Sequence, residues 1–440
     1  MKKYDKYKDS GIEWIGEIPE HWEVKRVASL GKFSKGGGVS KSELTVDGLP
    51  VILYGDIYTK YDTSVKNVHN KIPVEIAEKA RQIEKNAILF TGSGETIEDI
   101  GKCVVYLNDE KAYAGGDVII LEQQKNNSLF LSYVLNTPGV KYEKAKYGKG
   151  EIVVHIYSSQ LREIKIPIPP PPEQTAIATY LDRKTAEIDQ LIDTKKRLIE
   201  LYHEEKTAII NQAVTKGINP NVKMKDSGVE WLGEVPEHWE VKRVKQLVSK
   251  VGSGVTPSGG ASVYQTSGIP LLRSQNIHFD GLKLDDVAYI SEDIHNDMSN
   301  SKVKARDVLI NITGASIGRT FYVEEWLGEA NVNQHVCIIR PKKQISSVYL
   351  YYLLRSNIGQ EQIRQEQTGS GREGLTFEAI KRFVIPFVEI EEQQSIVHHI
   401  EAECRRIDTK IERTQRLIEL LAEYRTALIS EVVTGKVKVV

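Results

Sequence analysis

Cysteine is almost missing from this chain of 440 residues: Cys103, Cys337 and Cys404 are present, and no two stand in Cys-x-x-Cys spacing. A disulfide framework and a zinc ribbon are therefore excluded. Net charge is missing too. Lys and Arg total 59 against 60 Asp and Glu, a formal charge of −1. That rules out a histone-like polycation and leaves room only for a local basic groove. No apolar run approaches the ~18 residues of a membrane span, and the opening residues hold no apolar core for a signal peptide; a soluble, cytoplasmic chain is expected. Catalytic signatures are equally scarce. There is no G-x-x-x-x-G-K-[ST] phosphate loop. The one Pro-Pro run is preceded by Ile168 and followed by Glu173, so an amino-methyltransferase motif (Asn/Asp/Ser-Pro-Pro-aromatic) is lacking. Gly369-Ser-Gly371-Arg-Glu-Gly374 fits G-x-G-x-x-G but follows a helix-like stretch and precedes a strand, the reverse of a dinucleotide fold. No cofactor and no metal site are expected in this chain.

What is there is a repeat. Residues 8–27 (KDSGIEWIGEIPEHWEVKRV) and 225–244 (KDSGVEWLGEVPEHWEVKRV) differ only at Ile12/Val229, Ile15/Leu232 and Ile18/Val235. A second matching pair begins at Glu173 (EQTAIATYLD) and Glu392 (EQQSIVHHIE). The chain is a tandem duplication, with a period far too long for a solenoid. Between the matched parts, residues 28–160 and 245–380 align only through landmarks. These are Pro50-Val-Ile-Leu-Tyr-Gly-Asp-Ile57 with Pro270-Leu-Leu-Arg-Ser-Gln-Asn-Ile277, and Phe90-Thr-Gly-Ser-Gly94 with Ile312-Thr-Gly-Ala-Ser316. Matched surfaces suit one partner bound twice; diverged surfaces suit two different ligands.

The spacing divides the chain into a globular domain at 1–165, a helical spacer at 166–216, a second domain at 217–384 and a second spacer at 385–440. In the first spacer Ile177, Leu181, Ile188, Leu191, Leu198, Tyr202 and Ile209 follow an alternating four-three series. Ile396, Ile400, Ile407, Leu417, Leu421, Tyr424 and Leu428 follow it in the second. That period marks a coiled-coil seam, and neither helix can bury its seam alone, so the two are expected to pair antiparallel. Ile166 to Glu173 reads as a stiff polyproline lead into the first helix, and Gly217 and Pro220 end it. The domains show short β-branched runs separated by glycine-rich loops without regular βαβ alternation, which predicts an α+β fold.

Charges balance within each domain, so a DNA reader would need to segregate them. Candidates for phosphate contact are Lys32, Lys35, Lys102, Lys146 and Lys149 in the first domain, and Arg273, Arg319 and Arg372 in the second. Beside them stand base-reading types: Tyr54, Asp56, Tyr58, Ser93 and Glu95, and Ser274, Gln275, Asn276, Ser316, Asn333, Gln334 and His335. Amides and Arg make paired contacts to base edges in the major groove. A competing pattern is nuclease-like: Asp9 with Glu23 and Lys25, repeated as Asp226 with Glu240 and Lys242, in which carboxylates and a lysine would hold Mg²⁺. The intervening Trp14, Pro19 and Trp22 predict a turn-rich aromatic segment there in place of a strand hairpin, and a latch tying each domain to the helices.

The ordered set Trp14-Ile-Gly-Glu-Ile-Pro-Glu-His-Trp22, Ile168-Pro, Glu173-Gln174, then Trp231 to Trp239, Ile385-Pro386 and Glu392-Gln393, with both helices, resembles the specificity subunits of type I DNA restriction–modification enzymes over essentially the full chain. The resemblance implies two target-recognition domains set apart by antiparallel helices, each reading half of a split, asymmetric site in double-stranded DNA. It also implies docking of two modification subunits, which supply S-adenosylmethionine and adenine methylation, and of a restriction subunit using ATP and Mg²⁺ for translocation and cleavage. This chain would itself be non-catalytic. A coiled-coil scaffold without DNA binding is the other reading the helices allow.

Overall fold

The computed structural model describes residues 2–150, 153–369 and 374–439. It divides into two compact units, Met1–Lys196 with Arg416–Val440, and Arg197–Gln415. The division cuts both long helices, Pro171–Lys216 and Ile390–Val433. The fold is α+β, and the two helices are paired.

In the first unit a five-stranded sheet runs in the order Lys32–Lys35, Val118–Glu122, Ile88–Thr91, Cys103–Tyr106, Ser64–Val65, with only the last pairing parallel. These strands are continuous apolar runs because both faces are covered: Ile88, Leu89, Phe90, Val104 and Val105 are all fully buried. A second sheet runs Asn70–Ile72, Leu49–Ile52, Ala112–Ala114, Arg81–Ile83. The second unit repeats the plan where the sequences no longer align. Its main sheet is Val248–Ser253, Val336–Pro341, Val308–Asn311, Thr320–Tyr322, and its smaller one Ala288–Ile290, Ile269–Leu272, Asn331–Val332. Even the parallel pairing of Leu49–Ile52 with Ala112–Ala114 recurs, in Ile269–Leu272 with Asn331–Val332.

The near-identical segments form the frame. Tyr7–Asp9 pairs antiparallel with Glu17–Pro19, and Met224–Asp226 with Glu234–Pro236, so this segment contains a strand pair where turns alone were expected. Glu23–Arg26 pairs with Lys165–Ile168, and Glu240–Arg243 with Val384–Phe387. The prolines are likewise not a free stalk. Pro167 lies opposite Val24 within a strand, and Pro171 and Pro172 open the helix, where a missing N–H costs nothing.

Trp22 and Trp239 are fully buried, each against the helix end of its own unit. A Cβ on Gly435 would stand 2.3 Å from Pro19 and 3.3 Å from Trp22, and one on Gly217 3.3 Å from Trp239. Both glycines have φ near +74°, the left-handed C-cap that favours glycine. The expected latch is formed by the Glu-Gln pairs. His21 Nε2 lies 2.9 Å from Glu173, and His238 Nε2 2.8 Å from Glu392. Gln174 accepts from Asn127 N at 2.8 Å and donates to Pro169 O at 2.8 Å. Gln393 does the same with Ser346 N (2.8 Å) and Val388 O (2.7 Å).

Within each unit the helix segments run antiparallel. In the first, Glu173 meets Tyr4 beside Lys438, while Asp189 meets Arg425 at 3.2 Å. In the second, Tyr202 lies under Lys410 and Lys206 bonds Asp408 at 2.6 Å. Of the residues expected at the seam, Ile177, Leu181, Ile188, Ile396, Ile400, Ile407 and Leu428 are buried, and Leu198, Tyr202, Ile209 and Leu421 half-buried. Leu191, Leu417 and Tyr424 are instead exposed, at 41%, 39% and 47%. Their neighbours Ile192, Ile418 and Arg425 are half-buried. A strict seven-residue series lags a 3.6-residue helix by about 20° per heptad, so the inner row passes to the next residue.

Candidate nucleic-acid interface

The aligned landmarks turn out to be folding devices. Leu53 N donates to Asp56 at 2.9 Å, and Asn70 Nδ2 donates to the same carboxylate at 2.8 Å. At the matching place Arg273 N donates to Asn276 Oδ1 at 2.9 Å, and Asn276 Nδ2 donates to Lys283 O at 2.8 Å. Both side chains are buried, Asn276 completely, and each closes a helical turn by accepting the N–H three residues earlier. Neither is available to a base edge, which corrects their assignment as readers. Lys102 is half-buried and donates to Tyr61 O at 2.7 Å. Burial pushes its ammonium below the usual lysine range.

The Thr-Gly landmarks stand at the ends of central strands, and there the polar groups gather. In the first unit Tyr58 Oη bonds Thr91 Oγ1 at 2.7 Å, and Ser93 Oγ bonds His155 Nδ1 at 2.9 Å. Gly92 N donates to Asp117 O at 2.7 Å, and the Asp117 carboxylate lies 3.7 Å from Lys35. Lys32 sits at the other end of that strand, opposite Glu122. Ser93 is buried, whereas Glu95 and Lys149 are exposed. Tyr54 is 39% exposed at a separate cleft of about 760 Å³, lined also by Ser40, Lys41 and Lys60.

A strip of exposed apolar and basic side chains flanks His155. The Lys146 ammonium lies 4.6 Å over the ring of Tyr142, which is 64% exposed. Lys141 bonds Asp99 at 2.8 Å, tying this helix to the loop that carries Glu95 and the exposed Ile97. Gly94 pairs with Val154, and Lys149 with His155. Tyrosines interleaved with lysines suit a nucleic-acid surface, where rings stack and ammoniums meet phosphates. His155 drew no notice in the sequence. Only the strand pairing brings it to Ser93, 62 residues away.

In the second unit Asn311 Nδ2 joins the two landmarks, donating to Ser274 O at 2.8 Å and Ser316 Oγ at 3.1 Å. Arg273 donates to Asp286 O at 2.7 Å and lies over Tyr264; Gln275 donates to the Asp286 carboxylate. Arg319 is half-exposed and makes no side-chain bond among the described residues. A polar chain runs from Thr313 to His335 Nδ1, from His335 Nε2 to Gln334, and on to Thr256. Asn333 is buried and accepts from His335 N at 3.0 Å. Arg372 lies outside the described residues.

The nuclease pattern does not assemble. Asp9 and Asp226 each cap a turn, accepting from Gly11 N and Gly228 N at 2.9 Å. Glu23 pairs with Lys25 at 2.8 Å and Glu240 with Lys242 at 2.9 Å. Among the described residues no three His, Cys, Asp or Glu side chains group to hold a metal, and no helix is long and apolar enough to cross a membrane.

Comparison with known proteins places these features in context. The family model for the type I restriction modification DNA specificity domain matches residues 19–201 and again 236–421. The type I restriction enzyme MjaVIII specificity subunit of Methanocaldococcus jannaschii is 25% identical over 428 residues, 96% of this chain and 94% of that protein. The EcoKI specificity subunit of Escherichia coli K12 is 21% identical over 414 residues, 90% of this chain and 84% of that one. Among solved structures, the HsdS subunit from Thermoanaerobacter tengcongensis shares the fold with a TM-score of 0.57 at 15% identity, over 96% of this chain and 98% of that one. A chain solved in work on assembly and conformational transition of the type I R-M system reaches 0.73 at 14% identity, over 96% and 99% of the two chains.

Proposed function

This chain belongs to the family of type I restriction–modification DNA specificity subunits, and from that premise we propose that each of its diverged domains reads one half of a split, asymmetric site in double-stranded DNA. The subunit itself is non-catalytic. S-adenosylmethionine, ATP and Mg²⁺ belong, in this reading, to two modification subunits and a restriction subunit docked on the duplicated frame.

One contrast carries the proposal. The frame keeps the His–Glu and Gln contacts of its latch in both copies, whereas the strand ends carry different polar sets: Tyr58, Ser93 and His155 in one unit, Gln334, His335 and Arg319 in the other. Equal frames on unequal reading surfaces are what a bipartite, asymmetric target requires. Docking of one partner twice is supported by repeat-related positions on the helices. Leu201 and Leu420 are exposed to 45% and 44%, a matched apolar surface that suits a protein interface.

Co-expression with an adenine methyltransferase subunit, followed by mapping of methylated positions in a random-sequence DNA library, tests this reading. A split asymmetric motif that disappears when the chain is omitted is expected. A stable complex whose methylated sites do not depend on the chain would favour a scaffold without DNA reading.

A further inference from the structure

We infer that His155 is a specificity-determining residue of the first domain, donating its Nε2–H to a major-groove acceptor of one base in that domain's half-site and so rejecting cytosine there; the inference rests on the reading that this domain contacts bases. It begins with a hydroxyl. Ser93 is 2% exposed, and among the described residues its Oγ has one hydrogen-bond partner, His155 Nδ1 at 2.9 Å. A buried hydroxyl must place its proton on an acceptor or suffer the cost of an unmet donor. Were Nδ1 protonated, the Ser93 hydrogen would have nowhere to go. Ser93 therefore donates, Nδ1 accepts, and the neutral ring carries its proton on Nε2. Among the described residues Nε2 has no partner, and the ring is half-exposed.

The backbone holds this imidazole in place. Ser93 pairs with His155 and Gly94 with Val154, while Lys149 N donates to His155 O at 3.2 Å and His155 N to Lys149 O at 2.8 Å. The ring is thus clamped between two loops before any ligand arrives, which lowers the ordering cost of binding. Its surroundings suit a nucleic-acid face: Lys149 is exposed, and Val153 and Tyr157 to either side are 42% and 58% exposed.

The second domain supplies a control. Thr313 bonds His335 Nδ1, a hydroxyl–imidazole pair at the matching strand end. The histidine comes from a different place, just before Val336–Pro341, whereas His155 follows a glycine loop. There Gln334 Nε2 donates to the imidazole Nε2 at 2.9 Å, so that nitrogen is an acceptor and already occupied. The pair recurs where alignment fails, but among the described residues only the first domain leaves Nε2 without a partner. In the major groove guanine N7 and O6, adenine N7 and thymine O4 all accept, whereas cytosine presents only an amino donor. A lone N–H donor therefore discriminates against cytosine.

The test uses the complex of the full chain with its modification subunit, and scores methylation of a randomised DNA library by wild type, His155→Ala, Ser93→Ala and Ser93→Thr. H155A is expected to lose about tenfold discrimination against cytosine at one position of one half-site, with the other half-site intact. S93A should relax the same position less, and S93T should match wild type. The intact second half-site reports correct folding. Unchanged preferences in H155A would overturn the inference. So would an equal loss at every sequence, the mark of a phosphate contact, or relaxation at a position where wild type prefers cytosine. A wild-type complex without any split motif would instead overturn the reading of the domain itself.

Discussion

The indole Nε1 of Trp239 donates to Glu392 Oε1 at 3.0 Å, whereas Trp22, its counterpart in the first copy, is equally buried with no partner for the same group among the described residues. Tyr4 makes the difference. Its phenol donates to Glu173, whose other oxygen meets His21, so both carboxylate oxygens are occupied without the indole. One latch is therefore held by Trp and His, the other by Tyr and His.

Trp239→Phe should cost more than Trp22→Phe. Both lose similar apolar volume, but only the first breaks a hydrogen bond to a carboxylate, worth about 1.5–3 kcal/mol. Denaturation midpoints of the two variants check this. Equal losses would mean that the buried indole of Trp22 has a partner after all.

Lys144 gives a pH signature. It is fully buried, donates to Gly101 O and to Leu135 O (2.7 Å), and burial lowers its pKa to about 8. A lysine with a depressed folded pKa binds fewer protons when folded than when unfolded between about pH 8 and its ordinary value near 10.4. Its contribution to stability therefore rises with pH across that window, by up to about 3 kcal/mol. The difference in unfolding free energy between wild type and Lys144→Met, followed from pH 7 to 10.5, should move in favour of wild type. A pH-independent difference would mean the ammonium is not desolvated.

Arg425→Ala should destabilise more than its repeat counterpart Lys206→Ala. Arg425 bonds both Asp62 and Asp189 within the first unit, whereas Lys206 bonds Asp408. The three carboxylates are 66%, 50% and 55% exposed, so each pair is worth no more than about 1 kcal/mol. Thermal unfolding at low salt should separate the variants, and the gap should narrow at high salt.

Lengthening both long helices by one turn, near residues 196 and 415, should change the spacer between half-sites and leave both half-sites as they are. Methylation mapping reads this directly. Altered bases in either half would contradict the division between frame and readers.

Much of the frame was legible because the repeat printed it twice. The Trp, Pro and Glu-Gln positions recur at nearly fixed spacing, and they meet in the latch of each copy. The seam was legible in period but not in phase, since Leu191 and Ile192, or Leu417 and Ile418, satisfy an apolar pattern equally and only packing chooses between them. The reading surface was hardest. Asp56 and Asn276 looked like readers because they align, yet they align because both close the same buried turn. His155 stayed hidden because the strand pairing that fixes its ring joins residues far apart in sequence.

The account's central claim is that each diverged domain addresses one half-site on its own. Replacing residues 28–160 with those of another family member, then mapping methylation by the assembled complex, tests it most directly. One half-site should change to that of the donor, with the other half and the spacer retained. A change in both halves together would contradict the claim.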